Sequence, residues 1–162
     1  MNSEVVPYHL CCKALENLYL EDSYVESISK EDSSICFDME FVLTENHEFY
    51  SPPKENEQYC YRRGKLVFLS CSSDKLELSN RPASTDANGE KDIGNIDYFV
   101  ETDEGYFLEG CWGSLKVNCE KVSVVYESDG AQSWCALSKM GWCLAILSRL
   151  NPPLWLSAIT AR

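Results

Sequence analysis

Apolar residues recur at every second position along much of the chain. Ile35, Phe37, Met39, Phe41 and Leu43 share one face of a strand, with Asp38 and Glu40 on the other. Residues 20–28, LEDSYVESI, set Tyr24 opposite Val25 and read as an earlier strand. Tyr59 to Arg62 and Lys65 to Cys71 suggest a hairpin about Arg63-Gly64, and Leu76 with Leu78 a short edge strand. Alternation is most regular over residues 94–127, where breaks at Asp103-Glu104-Gly105, Gly110-Cys111-Trp112-Gly113 and Glu120-Lys121 divide four short strands. Connections this short make neighbouring strands antiparallel. The resulting meander needs something to cover its apolar face.

Other segments follow different rules. Leu10, Ala14, Leu15 and Leu18 fit helical spacing after Pro7, which predicts a short helix over 8–18. His47 to Gln58, with Pro52-Pro53, reads as a loop, and residues 79–95 form the longest polar stretch. The expected fold is mainly β: a single antiparallel β-sandwich or partly open barrel of seven to eight strands, with a short N-terminal helix and a C-terminal helical tail.

Charge divides the chain. The net charge is −12 over 162 residues. Residues 1–130 hold 11 basic and 26 acidic side chains, whereas 131–162 hold Lys139, Arg149 and Arg162 and no acid. Two parts follow: an acidic β domain over 1–130 and an apolar, weakly basic tail over 131–162. The acidic balance argues against a nucleic-acid surface, which needs Lys and Arg on phosphates, and suits a basic protein partner. The tail carries Trp134, Trp142 and Trp155. Residues 133–150 are apolar round most of a helix that Asn151-Pro152-Pro153 would end. Four readings of it stay open: a helix docked on the sheet, an exposed segment for a partner or for self-association into a homo-oligomer, a membrane anchor, and a segment appended by fusion or frame change. The proline pair splits Met140–Ala161 into pieces too short to span a bilayer.

Nine cysteines, an odd number, stand in a chain whose first residues show no basic n-region or apolar signal run. Reduced thiols and a cytoplasmic location are expected.

Candidate chemistry is sparse. Asp86, Asn88, Glu90 and Asp92 alternate along a loop that ends in Asp97, an oxygen-donor pattern that suits calcium. Lys91 stands where an EF-hand loop has glycine, and Asp97 where it has the longer glutamate. The competing reading is a solvated acidic turn with Gly89 and Gly94 at positive φ. No other cofactor is expected. His9 and His47 are the two histidines, no C-x-x-C occurs, and no nucleophile elbow is present. An enzyme is therefore not expected. Asp38, Glu40, Glu101, Asp103 and Glu104 are the acids expected to meet a partner. Tyr50, Tyr59 and Tyr61 cluster near the proline-rich loop, where aromatics beside acids suit a sugar or a basic protein.

Residues 20–28, together with Gly94-Asn95-Ile96-Asp97 and LEGCWGSLKV at 108–117, resemble segments of small bacterial β-rich proteins, some of them immunity proteins of toxin systems. The resemblance implies a non-enzymatic protein-binding module, for instance an immunity protein neutralising a toxin, which the acidic charge of this chain would make a basic one, and it transfers no catalytic residue. The alternative is a calcium-dependent or small-ligand (carbohydrate) binding β domain.

Overall fold

The computed structural model describes residues 5–85, 89 and 91–127. These residues are mainly strand. The predicted tail helix lies outside them. Among the described residues, no helix is long and apolar enough to cross a membrane.

Among the described residues nine strands follow in order: β1 (Val6–Pro7), β2 (Leu18–Glu31), β3 (Ser34–Leu43), β4 (Cys60–Leu78), β5 (Ser84–Thr85), β6 (Lys91–Asp92), β7 (Ile96–Thr102), β8 (Gly105–Gly110) and β9 (Gly113–Tyr126). Seven form one antiparallel sheet in the order β1-β7-β8-β9-β4-β3-β2, and β5 pairs with β6.

The sheet curls until its ends meet. Val25 of β2 donates its N–H to the Gly94 carbonyl at 2.7 Å, and Ile93 donates to the Val25 carbonyl at 2.8 Å. The expected partly open barrel is therefore the form adopted. Closing a sheet on itself buries its apolar face without a second layer. The interior holds Phe37, Phe41, Phe68, Ile35, Met39, Leu66, Leu108 and Leu115, all essentially without exposure. Phe37 meets Phe68 edge-on at 6.0 Å and Trp112, folded inward from the β8–β9 turn, at 5.1 Å. Tyr8 of α1 (Tyr8–Cys11) packs on Phe99 at 6.0 Å.

Three expectations need correction. Arg63-Gly64 is not a turn: β4 runs through it, pairing Met39 with Gly64 and Gly64 with Tyr126. Glycine stands there because neighbouring backbone comes close; a Cβ would lie 2.6 Å from the Val125 carbonyl oxygen. Glu120-Lys121 is not a turn either. Lys121 pairs with Leu69 inside one long strand, and alternation falters because the β4–β9 register shifts between Cys71 and Ser73. The meander therefore has three strands, and Leu76 and Leu78 extend β4. Lastly, the N-terminal helix is a single turn followed by a 3-10 turn, Lys13–Leu15. Leu18 already pairs with Leu43, which ends any helix before it.

β2 carries the main irregularity. Its pairing with β3 jumps from Tyr19↔Val42 to Tyr24↔Glu40. Ser23, fully buried, fills the gap: its hydroxyl donates to the Tyr19 carbonyl at 2.7 Å and accepts the Val42 N–H at 2.9 Å. Replacing Ser23 with alanine leaves a buried N–H without this partner. Ser23→Ala should lower unfolding free energy by about 1–3 kcal/mol, and exposed Ser29→Ala by less than about 0.5 kcal/mol, both read from urea midpoints. Equal effects would show that the Ser23 hydroxyl does not hold the bulge.

Candidate functional site

The outer face of β2, β3 and β4 is built in rows set by register. Tyr19, Val42 and Tyr61 form one row, Tyr24, Glu40 and Arg63 the next, and Ser27, Asp38 and Lys65 the third. Tyr19 and Tyr24 are five residues apart and share a face only because the bulge between them shifts the alternation. Tyr59, at the entrance to β4, completes a stripe of four rings. Centroids are 6.4 Å apart for Tyr19 and Tyr59, 6.1 Å for Tyr59 and Tyr61, and 6.2 Å for Tyr61 and Tyr24. Tyr19 and Tyr24 remain 42% and 39% exposed, while Val42 beneath the stripe is buried although it points away from the core.

Acids border the rings. Tyr59 is hydrogen-bonded to Asp22, which raises its hydroxyl pKa. Burial, with Tyr24 and Glu40 alongside, pushes Tyr61 up to about 12. Arg63 lies 3.5 Å from Glu26 and 3.9 Å from Glu40. Asp38 takes Lys65 on one oxygen and the Ser27 hydroxyl, at 2.7 Å, on the other. Among the described residues, Asp22, Glu26, Asp38 and Glu40 thus face Arg63 and Lys65 across this surface.

The residues expected from sequence fall in several places. Asp38 and Glu40 belong to the tyrosine face. Glu101, Asp103 and Glu104 sit at the β7–β8 hairpin, where Glu101 pairs with Val6 and Tyr106, so the five acids do not form one patch. Asp92 accepts the Gly94 N–H at 2.9 Å and shapes the turn into β7; Gly89 and Gly94 take φ of 84° and 112°. Asp86, Asn88 and Glu90 lie outside the described residues. Among the described residues no group of three or more His, Cys, Asp or Glu side chains is placed to hold a metal ion. Tyr50 packs against the core instead of joining Tyr59 and Tyr61. Tyr19 and Tyr24 were missed; only the bulge would have given them away.

Asp97 lines an open groove of ≈ 920 Å³ on the outside of β7, β8 and β9, with Tyr98, Phe107, Glu109, Glu77 and Arg81. Tyr98 and Phe107 meet edge-on at 6.0 Å.

His47 is engaged in packing at the end of β9. Its Nε2 lies 2.9 Å from the Tyr126 hydroxyl, and its Nδ1 accepts the Phe49 N–H at 3.1 Å. Arg62 stacks over Phe49 at 4.4 Å. His9 meets Tyr8 edge-on at 5.4 Å. Burial pushes Cys12 up to about 12 and Cys36 and Cys119 to about 11, which disfavours the thiolates a nucleophile needs.

Protein-family models, curated proteins and solved structures were compared with the chain, and none matches.

Burial holds His47 below its ordinary pKa, aided by Arg62 and opposed by Glu48. The unfolded chain then binds the proton more readily than the folded one. Stability from this residue is full above the unfolded value of about 6.5 and is lost as pH falls through the window below it. The urea midpoint of the native chain should drop between about pH 7 and about pH 5.5, and His47→Gln should drop less. An equal drop in both would assign the acid sensitivity to other groups.

Proposed function

We propose that the chain is a non-enzymatic binding protein that docks a basic surface of another protein on its tyrosine face, as an immunity protein does when it neutralises a cationic toxin. The observation that carries this reading is the row of four touching tyrosines beside Asp22, Glu26, Asp38 and Glu40. Tyrosine offers wide apolar contact and a hydroxyl while losing little rotamer freedom, so it is favoured where proteins bind. The excess of carboxylates on this face, within a chain of net charge −12, favours a cationic partner and speeds encounter. Protonated thiols and an engaged His47 support binding over nucleophilic catalysis. The seven described cysteines are all free, which supports a reducing, cytoplasmic compartment.

A photo-crosslinking amino acid at position 24, introduced in the cell that makes the protein, tests the face directly. The expected product is a link to a basic protein. Its affinity for the native chain, measured by calorimetry, should fall about tenfold or more in the Tyr24→Ala, Tyr61→Ala double variant. It should also fall between about 0.05 M and about 0.3 M salt. A partner of acidic charge, or an affinity that neither change moves, would sink the proposal.

A second reading rests on the Tyr98–Phe107 groove, whose aromatic pair beside Asp97, Glu109 and Arg81 suits a sugar ring and its hydroxyls. Oligosaccharides should then shift backbone amide resonances of β7 and β8 in the native chain and leave Tyr98→Ala unmoved. Spectra unchanged by sugars, with and without calcium, would remove it.

A further inference from the structure

Cys71 of β4 and Cys119 of β9 stand opposite each other in the ladder. Opposed residues on antiparallel strands have Cα atoms about 4.5–5.5 Å apart, inside the span of about 4.4–6.8 Å that a disulfide bridges. Both side chains are half-buried against the core, and so lie on the same face of the sheet. The ladder is irregular at this point. Register shifts immediately after Cys71, Ser70 has φ of 55°, and the Cys71 N–H donates to the Ser33 carbonyl at 2.7 Å in the β2–β3 turn. Regular ladder bonding is therefore interrupted where the two thiols face each other.

We propose that Cys71 and Cys119 are a thiol-oxidation site, closing a reversible cross-strand disulfide by exchange with a low-molecular-weight disulfide of the glutathione type. The thiolate of Cys71 attacks one sulfur of the small disulfide, and half of that molecule leaves as a thiolate. Cys119 then loses its proton and attacks the Cys71 sulfur of the mixed disulfide, expelling the second half. Two protein thiols give up two electrons and two protons, and the small disulfide becomes two thiols. Burial raises both thiol pKa values; Cys71 adds to the effect at Cys119, and Asp74 adds to it at Cys71, where Lys30 pulls the other way. The dithiol form therefore persists in a reducing compartment, and the bond forms where oxidised disulfide accumulates.

A competing pair exists. The Cys11 and Cys12 sulfurs are 3.6 Å apart, but a bond between adjacent residues closes a small strained ring. The tryptic peptides 66–75 and 117–121 each contain one cysteine, so the Cys71–Cys119 bond can be read without ambiguity.

The test is to equilibrate the full chain in a buffer of oxidised and reduced glutathione, block free thiols with iodoacetamide and map the peptides by mass spectrometry. The expected result is peptide 66–75 linked to 117–121, released by dithiothreitol. A rise in thermal midpoint of about 5 °C or more should accompany it. The rise should vanish in Cys71→Ser and in Cys119→Ala and survive in Cys36→Ser. The peptide map needs no variant, so it decides even where a substitution fails to fold. Recovery of both peptides alkylated, as mixed disulfides only, or linked to other cysteines overturns the proposal.

Discussion

A strand that inserts residues must find partners for the backbone groups it removes from the ladder, since each buried group left alone costs about 1–3 kcal/mol. Between Tyr19 and Tyr24 the β2 ladder carries this burden, and side chains from three parts of the chain relieve it. The Leu20 N–H donates to the Tyr8 hydroxyl at 3.4 Å, and that hydroxyl donates to Glu21 at 2.8 Å. The Asn95 amide donates to the Glu21 carbonyl, and the Ser23 hydroxyl closes the gap toward Val42. Tyr8 belongs to the N-terminal turn and Asn95 to the entrance of β7. One irregularity therefore fastens the first helical turn and the barrel seam to the same strand, and it also turns Tyr24 to the outside beside Tyr61.

Closure of the sheet depends on the same place. Val25, the second residue after the bulge, gives and receives the two hydrogen bonds that join β2 to residues 93 and 94. Gly94 is required there: its φ is 112°, and a Cβ would lie 2.5 Å from that of Cys111. Asp92 holds the turn from the other side through the Gly94 N–H. The end of the acidic loop thus has an architectural task.

Strand content and the turns at Asp103-Glu104 and Cys111-Trp112 were legible because alternation and turn residues are local signals. Two of the three corrected expectations share one cause. At Gly64 and at Lys121 a local break in pattern was read as a reversal of the chain. In the fold the first marks crowding by the neighbouring backbone, and the second a register shift opposite Ser70–Ser73. Neither tertiary event leaves a trace that differs from a turn. The tyrosine face was half legible. Tyr59 and Tyr61 stood out as neighbours in sequence, whereas Tyr19 and Tyr24, at odd spacing, belong on opposite faces of any regular strand. Asp38 and Glu40 were placed on the outer surface, but their pairing with Lys65 and Arg63 depends on the β3–β4 register and could not be read.

Those ion pairs bear on how the face would bind. Arg63 and Lys65 already partner the acids that a cationic protein would approach. Pairs this exposed contribute about 0–1 kcal/mol each, so an incoming arginine or lysine displaces them at small cost and gains little by it. Tyrosines that become fully covered contribute more, about 2 kcal/mol or above at the centre of an interface. Tyr24 on β2 and Tyr61 on β4 sit in adjacent rows on either side of the central strand β3, which carries Glu40 in the row of Tyr24 and Asp38 in the next. In the proposed complex, charge would set the rate and orientation of encounter, and the rings would set how long a partner stays. A surface of carboxylates alone would bind any basic protein weakly. On the proposed reading the stripe would favour a partner with apolar surface to lay against it, and specificity would follow from the rings rather than from the net charge of the chain.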